Sequence, residues 1–274
     1  MAGDEQLPSG YGAQVLPGDN LCNDFVQESA RSFAAFGSAR GDRVARLEGL
    51  VTMVDARSPV PFFNRATLEQ PIDDLERTLH ELRAFYCAVG GEMPFLVDSA
   101  WPTPDLRPHG FALMGHPPLM RRPPDTTLPA EPPELHIVPG TDDRTAHDYE
   151  YTLAYGYPAV QMQPVRGVSI LTAAARTAPG WHHFVGYVDD RPVTAGSAYV
   201  DDRLLRVDNI ATLDDARGRG YGAAITAASV AVDPSKPAML VASDLGRPVY
   251  ERLGFVALLR VTYWVGTRNA AAPV

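Results

Sequence analysis

The sequence predicts an α/β (α+β) protein whose mixed, mostly antiparallel sheet is flanked by helices, laid out as two halves of similar element order. Three observations carry this expectation. Between 181 and 213, three strand-like runs (Trp181 to Val188, Val193 to Val200, Leu204 to Leu213) are separated only by Asp189-Asp190-Arg191-Pro192 and Asp201-Asp202-Arg203. Turns that short and polar imply an antiparallel meander. From Ile72, the apolar set Leu75, Leu79, Leu82, Phe85, Tyr86 and Val89 recurs at three- and four-residue steps, the period of a buried helix face, and Gly90-Gly91 ends it. Finally, Pro117, Pro118, Pro123, Pro124, Pro129, Pro132 and Pro133 are dense enough for a semi-rigid extended linker, which places a domain boundary there.

In chain order, residues 1–17 carry Gly3, Pro8, Gly10, Gly12 and Pro17 with little apolar content and read as a flexible arm. Leu21, Phe25, Ala30, Phe33 and Phe36 suit a helix, with Gly37 as its stop. Gly49 to Asp55 and Phe62 to Leu68 read as strands, followed by the helix from Ile72 and a strand Pro94 to Asp98. An irregular stretch Pro102 to Gly110 and a further apolar run complete the first unit, 18–130. The second unit, 131–274, opens with Glu134 to Val138 and then a helix at Thr141-Asp-Asp-Arg with capping-type chemistry, closed by Pro158. After the meander come a glycine-rich loop, a helix Gly222 to Val230, a strand Ala238 to Ala242, a helix Arg247 to Leu253 and one final strand Val256 to Val265. The similar order of the halves suggests a degenerate internal duplication.

The totals exclude several classes. A formal net charge of −9 opposes a phosphate backbone, and no Lys/Arg stripe stands out, so nucleic acid is not an expected partner. No apolar stretch approaches a membrane span, and the N-terminus lacks a secretory pattern, so the expectation is a cytoplasmic protein with no membrane partner. Cys22 and Cys87 stand alone, which argues against a disulfide framework or a zinc site; no metal is expected.

The informative segment is Asp214-Asp-Ala-Arg-Gly-Arg-Gly-Tyr-Gly222, where the third strand of the meander runs into an Ala-rich helix. Glycines there let backbone N–H groups turn inward, and a helix N-terminus adds unpaired donors and the positive end of its dipole, together a cradle for pyrophosphate. A P-loop would need Gly-Lys-Ser/Thr and a Rossmann fingerprint a parallel βαβ unit; neither fits. The bare alternative is a tight turn.

Arg217-Gly-Arg-Gly-Tyr-Gly222 resembles the Arg/Gln-x-x-Gly-x-Gly/Ala signature of the GNAT superfamily of acyl-CoA-dependent N-acyltransferases, and Tyr250-Glu-Arg-Leu-Gly-Phe255 resembles its later Tyr-x-x-Leu-Gly-Phe motif, about thirty residues on. The resemblance covers roughly 134–266; the first half lacks the signature and would be a degenerate GNAT-like unit without its own cofactor site. The resemblance implies acetyl-CoA as co-substrate and direct attack on it by an amine in a ternary complex. It implies further that backbone groups of Ile210, Ala211 and Thr212 bind the pantetheine arm as an added strand. The loop Arg217, Gly218, Arg219, Gly220, Tyr221, Gly222 would hold the pyrophosphate, and Ser243 would contact the cofactor or cap the next helix. Tyr250 would protonate the leaving thiolate, unless it is a packing residue.

The base is open among Asp208, His182 and His183, the histidines being neighbours on a strand and so on opposite faces. Asn209 is a possible substrate contact, and Trp101, His109, His116 and Met120 a possible acceptor wall between the halves. The expected acceptor is an amine of a small molecule or an exposed amino group of a peptide; homodimerisation is left open. An acyl-CoA sensor without turnover, or another reaction on an acyl thioester, are the rival readings.

Overall fold

The computed structural model describes residues 21–89, 93–125, 127–157 and 159–267. The arm, Gly90-Gly91 and Pro158 lie outside these residues. The first helix, α1 (Leu21–Arg40), runs through Gly37 and stops at Gly41, whose φ of 83° takes the chain into the left-handed region. A hairpin of β1 (Arg43–Leu47) and β2 (Val51–Asp55) follows, and then β3 (Asn64–Leu68), preceded by a single turn over Pro61–Phe63. The periodic segment forms α2 (Leu75–Tyr86), with Asp74 capping it by accepting from the Arg77 N–H. Thereafter come β4 (Pro94–Ser99), β5 (Ala112–Gly115) and β6 (Pro118–Arg122).

The second half begins with β7 (His136–Pro139) and α3 (Asp143–Gly156), where Asp142 and Thr145 form a capping box. A short α4 (Ala173–Arg176) leads to the expected meander: β8 (Trp181–Val188), β9 (Arg191–Val200) and β10 (Leu205–Thr212). Then come α5 (Tyr221–Val230), β11 (Ala238–Val241), α6 (Arg247–Arg252), β12 (Val256–Arg260) and β13 (Thr262–Thr267).

These strands make two sheets, ordered β1-β2-β3-β4-β13-β5 and β12-β6-β11-β10-β9-β8-β7. Each has an antiparallel three-strand meander followed, across a helix, by a parallel neighbour: β3 with β4, and β10 with β11. Each sheet is completed by a strand from the other half. The run Val256 to Val265, read from sequence as one strand, is two. It breaks at Val261, and β13 crosses over to sit between β4 and β5 of the first sheet. Reciprocally, β6 comes from inside the proline cluster and sits between β12 and β11 of the second sheet. The linker reading therefore fails for 118–122: the prolines flank Leu119 and Met120, both fully buried, and Pro118 occupies the first strand position, where a missing N–H is tolerated. The sheets do not divide at 130/131.

Side chains follow this topology. Behind the first sheet, Leu79, Leu82 and Tyr86 of α2 pack on Met53, Leu68 and Phe95, with Tyr86 stacked on Phe95 at 4.1 Å between ring centroids. Phe25, Leu96, Leu119, Met239, Val261 and Tyr263 fill the space where the two sheets meet. Helix α1 belongs to the first half in sequence, yet Phe36 packs on Trp181 at 4.8 Å, and Glu28 pairs with Arg206 of β10 at 3.3 Å. That pair is buried, so removing either partner would strand a charge, and burial raises the Glu28 carboxyl above its usual range. No helix among the described residues is long and apolar enough to cross a membrane.

Candidate functional site

The site grows from the end of β10. Its ladder with β9 is irregular between Asp208 and Ala211, where Asn209 takes φ 54°; a bulge of this kind bends the strand away from its neighbour. On the other side, β10 pairs with β11 only at Leu205–Ala238 and Arg206–Met239. From Val207 onward the two parallel strands diverge, and β10 has no further ladder pairing with β11.

The three residues expected to bind pantetheine lie along this stretch, with some of their carbonyls already engaged. Ile210 accepts from the Tyr157 hydroxyl at 2.6 Å, Ala211 from Thr194 at 2.8 Å, and Thr212 from Arg217 Nε at a weak 3.3 Å. Arg217 also donates to the Gly156 carbonyl at 2.7 Å and pairs with Asp214, so it ties the end of α3 to the loop.

Beyond Arg217 the loop is exposed. Gly218 and Gly220 have φ of 77° and 86°, conformations that L side chains resist, whereas crowding is not the reason for glycine: a Cβ at Gly218 would meet nothing within 4 Å. Gly220 is the N-cap of α5 and offers no side-chain bond, so the helix begins with free N–H groups at the positive end of its dipole. Tyr221 is buried and donates to Glu134 at 2.9 Å; Arg219 is exposed. The equivalent helix of the first half, α2, differs in kind: its N-terminus is filled by its own Asp74 carboxylate, with Glu76 in the first turn.

Across the gap, Tyr250 of α6 is buried, its ring against Gly246, and its hydroxyl makes no hydrogen bond to a described residue. Ser243 accepts from the Gly246 N–H at 3.1 Å, which makes it a cap of the turn into α6. Asp208 is half-buried, 3.5 Å from Arg206 Nε, and its charge reaches four tyrosines, Tyr149, Tyr157, Tyr250 and Tyr263. The hydroxyl pKa values of the buried Tyr149, Tyr250 and Tyr263 are raised, chiefly by burial and secondarily by neighbouring charges that include Asp208, and that of the more exposed Tyr157 is raised as well, so all four are proton donors throughout the working range. Sequence reasoning singled out only Tyr250 of this ring. Tyr263 arrives on the exchanged strand, which the single-strand reading hid.

His182 is exposed and His183 buried, on opposite faces as their adjacency requires. His183 Nδ1 lies 2.8 Å from Ser197 Oγ, which lies 2.6 Å from the Tyr149 hydroxyl. His183 Nε2 is buried without a partner. His183, Ser197 and Tyr149 thus form one buried hydrogen-bonded chain, whose donor order follows the His183 tautomer. Burial, reinforced by His182, lowers the His183 pKa to about 3, so it does not serve as the base near neutrality.

This carries a stability consequence. Unfolded, His183 titrates near its ordinary ~6.5, so its contribution is complete above that pH and is lost as pH falls toward 3. We expect urea unfolding to show a loss of roughly 2 kcal/mol between pH 7 and 5 that His183→Gln lacks; equal losses in both proteins would refute the assignment.

Trp101, His109, His116 and Met120 are not brought together as one wall. His109 lies on a turn, His116 contacts Thr262 at 3.2 Å, and Met120 is in the core behind α6.

No family model matches the sequence, and no curated protein does. Solved structures do match its fold over nearly the whole chain. A GCN5-related N-acetyltransferase from Kribbella flavida superposes with a TM-score of 0.63 at 17% identity, covering 89% of this chain and 95% of that one. A tandem GNAT protein from the clavulanic acid biosynthesis pathway gives 0.51 at 13% identity, over 91% and 96%. A GCN5-related N-acetyltransferase from Sphaerobacter thermophilus gives 0.51 at 13%, over 92% and 94%. The chain thus has the tandem GNAT fold, with two GNAT-like units related as the duplicated element order suggests.

Proposed function

We propose that the second half binds acyl-CoA, acetyl-CoA in the first instance, and transfers its acyl group to an amine by direct attack. The observation that carries this reading is the stretch of β10 left unpaired where it parts from β11, followed by the glycine loop and an N-terminus of α5 that has no side-chain cap. An extended pantetheine arm suits such an edge, since it can pair with backbone groups as a further strand. The pyrophosphate suits the N–H groups from Gly218 to Gly222. The co-substrate would supply an activated thioester; the remaining chemistry belongs to this chain. Asp208, beside the bulge, would take a proton from the substrate ammonium, directly or through water, and so free the amine lone pair that attacks the thioester carbonyl. Tyr250, protonated and bonded to no described residue, would donate a proton to the departing thiolate. Tyr149, oriented by Ser197 and His183, would hold Asn209 and Asp208 in register.

The first half would bind no CoA, because the helix end corresponding to the cradle already holds Asp74. Calorimetry with CoA is therefore expected to give one site per chain. Gly220→Glu should abolish that binding, because the new carboxylate repels phosphate, while Gly220→Ala should keep it with a modest loss from backbone strain. Two sites per chain, or full affinity in a folded Gly220→Glu protein, would overturn the reading.

A further inference from the structure

Along an antiparallel strand, alternate residues turn their backbone groups to opposite sides. Just past β10, Leu213 donates to the Val193 carbonyl and so faces β9. Ala211, paired with Ala195 two residues back, faces the same way, and its carbonyl accepts from Thr194 of β9. Thr212 and Ile210 therefore turn away from β9, to the side on which pairing with β11 has ended. Theirs are the carbonyls that could accept from the amide N–H groups of a pantetheine arm lying along β10. Each is met by a side-chain donor of the protein itself: Thr212 by Arg217 Nε at 3.3 Å, and Ile210 by the Tyr157 hydroxyl at 2.6 Å.

The two donors differ in how firmly they are held. Arg217 is fixed by the Gly156 carbonyl and by Asp214, each at 2.7 Å, and its bond to Thr212 is long. The backbone of Tyr157 is fixed as well. Its N–H donates to Leu153 at 3.0 Å, and the preceding Gly156 lies so close to β10 that a Cβ there would come within 3.1 Å of the Thr212 nitrogen and of the Ala211 Cβ. The Tyr157 ring is another matter. It is 43% exposed and lies outside the packed core, and among the described residues its hydroxyl bonds to Ile210 alone. Rotation about Cα–Cβ takes such a ring off its partner without moving α3, a motion that exposed side chains make within nanoseconds.

A donor resting on a carbonyl that a ligand needs is a placeholder, because the ligand must displace it and supply an N–H of its own in exchange. We propose that Tyr157 is such a placeholder in the acyl-CoA site: an amide N–H of the pantetheine arm takes the Ile210 carbonyl from the Tyr157 hydroxyl, and the ring swings outward. This inference rests on the acyl-CoA reading of β10 and the glycine loop. The exchange lowers affinity for the arm by the net worth of one hydrogen bond and leaves the grip on the nucleotide untouched, since Tyr157 bonds to β10 and not to the loop.

The test compares two ligands by calorimetry on the full-length protein: CoA, and 3′-phosphoadenosine 5′-diphosphate, which carries the nucleotide and the pyrophosphate without the arm. Tyr157→Phe keeps the ring and removes only the hydroxyl, and circular dichroism checks that it is folded. The variant should bind CoA about 2- to 10-fold tighter than the wild type, since one hydrogen bond no longer has to be given up, and should bind the nucleotide with the same affinity. A CoA affinity that is unchanged or weaker in the variant would overturn the proposal and leave the acyl-CoA reading standing. A gain shared equally by the nucleotide would overturn it too, because the effect would not lie on the arm. Wild-type protein that binds neither ligand would remove the acyl-CoA reading and the placeholder with it.

Discussion

Tyr250→Phe is expected to lower kcat by about 10- to 10⁴-fold in an acetyl-CoA-dependent amine acylation assay that reads thiol release. The geometry makes this a narrow substitution. The ring is buried against Gly246 and Phe255, so phenylalanine keeps the packing, and the hydroxyl bonds to no described residue, so its loss leaves no described group unpaired. Burial and the Asp208 charge raise its pKa, which keeps the proton in place across any usable pH. The activity should therefore show no alkaline limb from this group below pH ~10. A hydroxyl acting only as the bond to sulfur breaks lowers kcat and kcat/KM together and leaves CoA affinity alone. Full activity in the variant would make Tyr250 a packing residue. A wild-type protein that binds CoA yet acylates none of the amines tested would favour the sensor.

Much of the second half could be read in advance because its signals are local. The polar turns at 189–192 and 201–203 fix a meander, the glycines after Arg217 mark a strand-to-helix junction, and Tyr250 lies in a recognisable helix. What could not be read is what depends on distant partners. The bulge at Asn209 and the parting of β10 from β11 leave no pattern in hydrophobicity, although they open the candidate site. Arg217 looked like a phosphate ligand because charge beside a glycine loop is ambiguous; its bonds to Gly156 and Thr212 are 61 and 5 residues away. The relay through Ser197 joins three elements that are polar in sequence and buried in space. The proline cluster was the most misleading element. Proline density argues for linker, yet a Pro at the start of a strand costs nothing, and Leu119-Met120-Arg121-Arg122 is long enough to pair on both sides.

That last misreading leads to the largest structural effect expected here. The fragment 131–274 carries every residue assigned to CoA, but it should not fold alone. Without β6, β12 loses its only paired neighbour among the described strands, and β11 loses the partner opposite β10. Leu119 and Met120, each fully buried, would leave the core around Met239, Leu240 and Phe255, at about 1.5 to 3 kcal/mol apiece from lost burial alone. Arg122 would go as well, leaving the Leu253 carbonyl, which accepts from its Nε at 2.9 Å, without that donor. The loss is of the same order as the whole stability of an ordinary domain, about 5 to 15 kcal/mol. Meanwhile β13 would be left with its Tyr263 and Trp264 exposed, since the sheet that buries them is absent. We expect the fragment to show no cooperative urea transition and collapsed amide dispersion by NMR, and adding a peptide spanning 117–125 to be insufficient because β13 still lacks β4 and β5. The complementary cut, ending the chain at Val261, should unfold the first sheet for the mirror-image reason. A fragment 131–274 that unfolds cooperatively and binds CoA would show that the exchanged strands are dispensable, and that the two halves fold as separate units after all.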